Sequence, residues 1–547
     1  MKEKISSVIL GMMLVCLLSV SGNTFQEKAP LTVAEASDFT ATSRYADVIA
    51  FIREMQDQSP LIRVESMLVS PEGREIPLVI IGDPVPSSPQ VLRNDDRAVV
   101  YIQGNIHAGE VEGKEASLML IRDILQQARP PYLDRLVILF CPIFNADGNE
   151  RISPDNRRSQ AGPEEGVGVR TNGQNLDLNR DSMKMESPEL QGLVRNVLLR
   201  WDPVILVDCH TTNGSYHQNP VTYSWPLNPN GSTSILSYMR DTMMPALQKH
   251  LKDNYDTRGI PYGNFMGRDM NGWRTFSHQP RFVTNYVGLR NRLAILIENY
   301  SHAEYRTRVF GNYHYVKSIL DYCHAQKDAI RTLIRDADLA TVMRGMGPSE
   351  QDTFAVEFEV KPLKDPVTIL GYEMEIEESE GARPRMRRTD TAKTYTVPYH
   401  ADFQPKRSVA YPSAYLIELQ VPEVLEKLKQ HGIVVERLLQ PASLEVESFQ
   451  VGELKGAERL YQGHRMNTVT GEYKTESREF PAGTLVVRTA QPLASLASYL
   501  LEPESDDGLL VWNYFDRYLV PQWSREPQTY PVHKLYRPEI LVTEIIR

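Results

Sequence analysis

The sequence predicts an α/β domain built on a mixed, largely parallel sheet with helices on both faces, joined to a smaller β-rich α+β module. Three observations carry that prediction. Four runs rich in Val, Ile and Leu, at residues 98–102, 136–140, 204–207 and 293–297, have the continuous hydrophobicity of strands buried on both faces. Helical patterns lie between them, notably at residues 116–127 and 233–251, and strands alternating with helices favour parallel pairing. After MRGMGPSE, residues 343–350, where glycine and proline mark a linker, the pattern changes to strands such as FAVEFEV and FPAGTLVVRT around a helical stretch.

In chain order, Lys2 and Lys4 precede an apolar run over residues 8–20 that closes on Ser19, Ser21 and Gly22. The run is short for a membrane span and has the layout of a secretory signal, expected over residues 1–22. Export to a periplasm or the extracellular space is therefore expected, with no membrane span once the signal is removed, the competing reading being a retained N-terminal anchor. Residues 61–81 hold two apolar runs flanking SPEGRE, a hairpin with its turn near Glu72 and Gly73. The first domain is expected over residues 35–342 and the β-rich module, of unassigned role, over 351–547. A length of 547 residues exceeds one ordinary core, and 41% hydrophobic with 24% charged residues is a globular composition. The formal net charge of -10 lacks the basic footprint of a nucleic-acid binder. Beyond the signal, Cys141, Cys209 and Cys323 are too few for a disulfide framework.

The strand at residues 98–102 runs through Gly104 and Asn105 to His107, and Glu110 follows three residues later. On a helical turn residues so spaced point the same way, so an imidazole and a carboxylate can converge on one cation. A catalytic zinc takes about three protein ligands and keeps a position for water. His210 is the third candidate, at the end of the strand at 204–207, where α/β sheets place ligands. Cys209 beside it faces the other way along a strand. In RTNGQNLDLNRD, residues 170–181, the loop brings Asp177, Asn179, Arg180 and Asp181 within five positions. Arginine with asparagine suits a carboxylate, the competing reading being a surface salt bridge. Glu298 closes a buried strand, where burial raises its affinity for a proton and fits it to act as a general base.

In order and kind these residues resemble the zinc carboxypeptidases of the M14 type: HxxE after a strand (His107, Glu110), an NPDG-like element (Asn145, Ala146, Asp147, Gly148), LDLNRD, a lone His210 and a strand-terminal Glu298. The resemblance covers roughly residues 40–340. It implies the zinc carboxypeptidase fold for the first domain and one zinc ion held by His107, Glu110 and His210, with Glu298 as the base. It also implies that Asn179 and Arg180 hold the substrate's terminal carboxylate, that Asp177 orients a ligand histidine, and that Arg170 stabilises the oxyanion, with Arg157 and Arg158 as rivals. Tyr286 or Tyr262 would close over the substrate. Two departures stand out: Ala146 replaces the usual proline, and Asp181 beside Arg180 could share its charge and weaken capture of an anionic terminus. The implied activity is hydrolysis at or near the C-terminus of peptides. Alternatives are a cell-wall peptide amidase of the same fold and a catalytically silent protein that binds peptides or glycans. Arg290 and Arg292 are candidate selectors for acidic side chains, against a reading as structural ion pairs. The partner implied is a peptide, and oligomeric state is left open.

Overall fold

The computed structural model describes residues 29–127, 129–377, 385–418, 421–519 and 528–546, so the expected signal at residues 1–22 lies outside the described residues. No described helix is long and apolar enough to cross a membrane.

Eight strands, β1 (Ile62–Val69), β2 (Glu75–Ile81), β3 (Ala98–Gly104), β4 (Leu136–Cys141), β5 (Ile205–Thr212), β6 (Val221–Ser224), β7 (Gly259–Pro261) and β8 (Leu293–Tyr300), form one sheet in the order β1-β2-β4-β3-β5-β8-β6-β7. The four central strands β4, β3, β5 and β8 are mutually parallel, while β1, β2 and β6 add antiparallel pairs. These central strands are the four Val/Ile/Leu-rich runs, and nearly every residue in them is buried, as a sheet covered on both faces requires.

Helices α1 (Tyr45–Gln58), α2 (Glu112–Leu125) and α4 (Tyr305–Met346) cover one face, and α3 (Val283–Leu289) lies against the other. Helix α2 starts at Glu112, so His107 and Glu110 sit in the turn before it rather than on its first turn. The turn keeps their spacing useful, because the Glu110 N–H donates to the His107 carbonyl at 2.9 Å. Gly113 decides how closely α2 approaches the sheet: a Cβ there would collide with the Cβ of Cys209, the residue before His210. Cys209 faces α2 as the alternation predicts, and all three described cysteines are buried and free.

Helix α4 runs through the glycine at 345 into the stretch read as a linker and ends at Met346. Beyond it, Thr353–Pro362 pairs with Tyr399–Ala410, which in turn pairs with Trp273–Arg274 of the first region. A second eight-stranded sheet follows, containing the long hairpin Ala442–Gly456 and Asn467–Phe480. One continuous apolar core reaches from Val48 in α1 to Val532 in this sheet.

Candidate active site

Four of the predicted polar residues meet where β3, β5 and β8 end. In register, Glu298 on β8 lies beside His210 on β5, and Gly104, which closes β3, lies beside Cys209. The turn after β3 then folds His107 and Glu110 over His210. Ligand atoms of His107, Glu110 and His210 all lie within 4.8 Å of one another, and all three side chains are buried. His210 Nδ1 is 2.9 Å from Glu110 Oε2 and 3.2 Å from His107 Nδ1, and His107 Nδ1 is 3.2 Å from Glu110 Oε1.

Each imidazole is backed by an aspartate at its far nitrogen. His107 Nε2 is 3.0 Å from Asp177 Oδ1 and His210 Nε2 is 2.8 Å from Asp208 Oδ2. With a cation in place, a proton held on each Nε2 by these acids would leave Nδ1 to offer its lone pair, so that two nitrogens and a carboxylate oxygen could face one ion. Such acceptors repel unless a cation lies between them, and an N₂O donor set of this kind suits zinc. The electrostatics agree that positive charge is favoured here. Burial works against a charged His210, yet Asp208 and Glu110 hold its pKa well above the ordinary histidine value. Burial likewise opposes ionised Glu110, and His107 with Arg157 holds it well below the carboxylate range. Glu110 is further fixed by the Thr211 N–H at 3.0 Å and Arg157 Nη1 at 2.9 Å.

Glu298 is partly exposed in the cavity beside this cluster. Burial, reinforced by Glu110 and opposed by His210, Arg157 and Arg170, pushes its pKa up to about 8. The cavity encloses about 290 Å³, and its walls include Arg157, Arg170, Asn179, Arg180, Tyr262, Phe276, Phe282 and Leu296. Asn179 is oriented by the Val283 N–H, which donates to Oδ1 at 2.9 Å, and the Arg180 guanidinium stacks over the Phe282 ring at 4.1 Å.

The three rival arginines separate clearly. Arg158 is exposed and pairs with Asp155. Arg157 lines the cavity but spends Nε on Gln160, Nη1 on Glu110 and Nη2 on the Thr211 carbonyl. Arg170 donates Nε to Asp177 at 2.8 Å and is the more exposed of the two. Of the two tyrosines, Tyr262 lines the cavity, whereas Tyr286 is buried elsewhere with its hydroxyl 2.8 Å from His431. Asp181 does not compete for Arg180: its carboxylate takes Lys184 at 2.5 Å, the N–H groups of Glu186 and Ser187, and the Ser187 hydroxyl. Arg292 pairs with Asp202 and Asp338, and Arg290 donates to the His431 carbonyl, so both are structural. The NPDG-like element is scaffold: Asn145 Oδ1 caps the Gly148 N–H while its amide donates to the carbonyls of Ile106 and Arg170.

Asp208 was not singled out in the sequence. The signal for it was present, since residues two apart on a strand face the same way and D-x-H lies within β5. Gln462, whose side-chain carbonyl accepts the Asp177 N–H at 2.8 Å, had no such signal, because 285 positions separate the pair.

Sheet and site together define a metallopeptidase. Residues 48–278 match the zinc carboxypeptidase model of peptidase family M14. The matched span contains His107, Glu110, Asp177, Asn179, Arg180 and His210. Carboxypeptidase 2 of Trichophyton rubrum is 23% identical over 486 residues, covering 83% of this chain and 81% of its own. A probable carboxypeptidase 2 of Arthroderma benhamiae is 22% identical over 93% of both chains. Among solved structures, a metallo-carboxypeptidase of Burkholderia cenocepacia superposes with a TM-score of 0.37 at 18% identity, covering 52% of this chain and 70% of that one.

Proposed function

We propose that the chain is an exported zinc-dependent metallocarboxypeptidase that hydrolyses peptide bonds at or near the C-terminus. The observation that carries this reading is the convergence of two aspartate-backed Nδ1 atoms and the Glu110 carboxylate beside the high-pKa Glu298. His107, Glu110 and His210 are the ligands for one zinc ion, which when bound supplies Lewis-acid polarisation of a carbonyl and a water. Glu298 takes the proton from the attacking water and returns it to the leaving amine. Arg170, the arginine with the smaller share of its donors already committed, faces the developing oxyanion. Asn179 and Arg180 bind the terminal carboxylate through an amide N–H and a guanidinium, and Asp177 holds the His107 ring. Phe276, Phe282 and Leu296 give the cavity an apolar wall suited to an apolar terminal side chain.

The test is a digest of matched peptides with free or amidated C-termini, read by mass spectrometry with and without a chelator. Loss of terminal residues from the free peptides alone, abolished by the chelator and fastest for those ending in Phe or Leu, is the expected result. Equal cleavage of amidated peptides, or cleavage that survives metal removal, would overturn the assignment. Hydrolysis confined to cell-wall stem peptides would move the substrate class to the amidase reading.

A further inference from the structure

The C-terminal region reaches Asp177, which backs His107, through the tip of the hairpin formed by Ala442–Gly456 and Asn467–Phe480. Its turn is tight. Tyr461 and His464 exchange backbone hydrogen bonds at 2.8 and 3.0 Å, and the two residues between them, Gln462 and Gly463, have φ of 51° and 83°. Positive φ at both central positions is the primed turn that suits a hairpin, and glycine at the second is the residue that adopts it without strain. The sequence YQGH therefore encodes a rigid tip that presents the Gln462 side chain.

The tip is held from both sides. Tyr461 stacks on Trp512 with ring centroids 6.3 Å apart, and the Arg281 guanidinium lies over both rings while pairing with Asp507 at 3.0 Å. His464 bridges Asn513 of the C-terminal region at 3.1 Å and Glu186 of the active-site loop at 2.8 Å. The same loop is gripped again by Lys427, which donates to the Met185 carbonyl at 2.9 Å, and by His431, 3.0 Å from the Met183 carbonyl.

Gln462 acts on the residue with the widest reach in the site. Its Oε1 accepts the Asp177 N–H at 2.8 Å. Asp177 Oδ1 in turn meets His107 Nε2 at 3.0 Å and the Asn179 N–H at 3.1 Å, and Oδ2 takes Arg170 Nε at 2.8 Å. We infer that Gln462 is a positioning residue, through which the C-terminal region sets Asp177 and so aligns a metal ligand, the oxyanion arginine and the carboxylate-binding loop. The inference rests on the functional reading above, and it gives the C-terminal region a part in catalysis without any group of its own touching substrate.

The test uses the full chain with Gln462→Met, which keeps the length and removes the carbonyl acceptor, and Gln462→Glu, which restores an acceptor. Four quantities are measured: the melting temperature of the metal-free protein, the zinc dissociation constant by chelator competition, and kcat and KM on a peptide with a free C-terminus. Removing partners of a ligating histidine typically costs 10–100-fold, and Gln462 stands one bond further out, so Gln462→Met is expected to weaken zinc binding about 3–10-fold and lower kcat/KM about tenfold. The metal-free melting temperature stays within about 2 °C, and Gln462→Glu recovers most of both losses. Wild-type zinc affinity and kcat/KM in Gln462→Met would overturn the inference, as would losses matched by a large fall in the metal-free melting temperature and unrecovered by Gln462→Glu. A wild-type protein that neither takes up zinc nor trims peptides would instead sink the functional reading beneath it.

Discussion

At the scale of single residues, both histidines of the cluster and the neighbouring arginines are fixed by partners that are themselves buried or paired, which leaves those atoms little to rearrange. The Arg180 side chain illustrates this: Phe282 supports its plane and Asn179 accepts one Nη1 hydrogen at 2.6 Å through its main-chain carbonyl. A charge-assisted, bidentate grip on a carboxylate is worth about 3 kcal/mol. Arg180→Met is therefore expected to lower kcat/KM on free-terminus peptides about 100-fold, mostly through KM, which steady-state kinetics would read. His107, Glu110, His210 and Glu298 were legible in the sequence because each ends or follows a strand that burial makes easy to find. Asp208 was legible in principle from strand alternation. The choice among Arg157, Arg158 and Arg170 was not, because it turns on which carboxylates and carbonyls each guanidinium meets, and those lie 47 to 54 positions away for Arg157.

At the scale of elements, the geometry of the proposed ligands His107, Glu110 and His210 depends on how closely α2 sits on β5. Gly104 and Gly113 approach each other across the strand-helix turn, and Gly113 also meets Cys209. Gly113→Ala should push the start of α2 outward, destabilise the fold by about 1–3 kcal/mol through overpacking, and withdraw Glu110 from His210. Denaturant unfolding gives the first effect and chelator competition the second; a stable variant with wild-type zinc affinity would show that the contact is not limiting. The four central strands were read close to their first residues, since continuous burial leaves a continuous apolar run, but β5 and β8 run five and three residues past the stretches expected, and β6 and β7 were not read. Helix boundaries were read less well. The helix was expected from residue 116 and starts at Glu112; the charged residues of its first turn are buried and bonded, Glu112 to Arg308, Lys114 to Asn149 at 2.7 Å, and Glu115 to Thr42 at 2.8 Å. Buried charges paired across long sequence separations mimic surface composition.

At the scale of the whole molecule, the chain after Met346 is packed into the same core as the sheet and clamps the loop that carries Asp177, Asn179 and Arg180. The His464–Glu186 pair makes part of that clamp sensitive to pH. The hydrogen bond that His464 donates to Glu186 outweighs burial and raises the His464 pKa above the ordinary 6.5. Its stabilising contribution is thus complete below about pH 6.5 and lost as the pH rises through the higher folded value. Burial opposes ionised Glu186, but His464 and Lys184 hold its pKa at about 2, so its own contribution is present above about 4.5 and lost only as the pH falls toward 2. Between pH 6 and 8 the melting temperature of the wild type should therefore fall more than that of His464→Gln, by a difference on the order of 1 °C for a partly exposed pair. This long-range clamp left no trace in the sequence, where the C-terminal stretch shows strands and no reactive cluster. The claim on which all of this depends is that one zinc ion binds His107, Glu110 and His210 with Glu298 acting beside it as the base. The most direct measurement is zinc content together with peptide turnover for wild type and Glu298→Gln. One zinc per chain in both proteins, with turnover about 1,000-fold lower in the variant, is the predicted result. A wild type purified active without zinc, or a variant turning over within tenfold of it, would contradict the account.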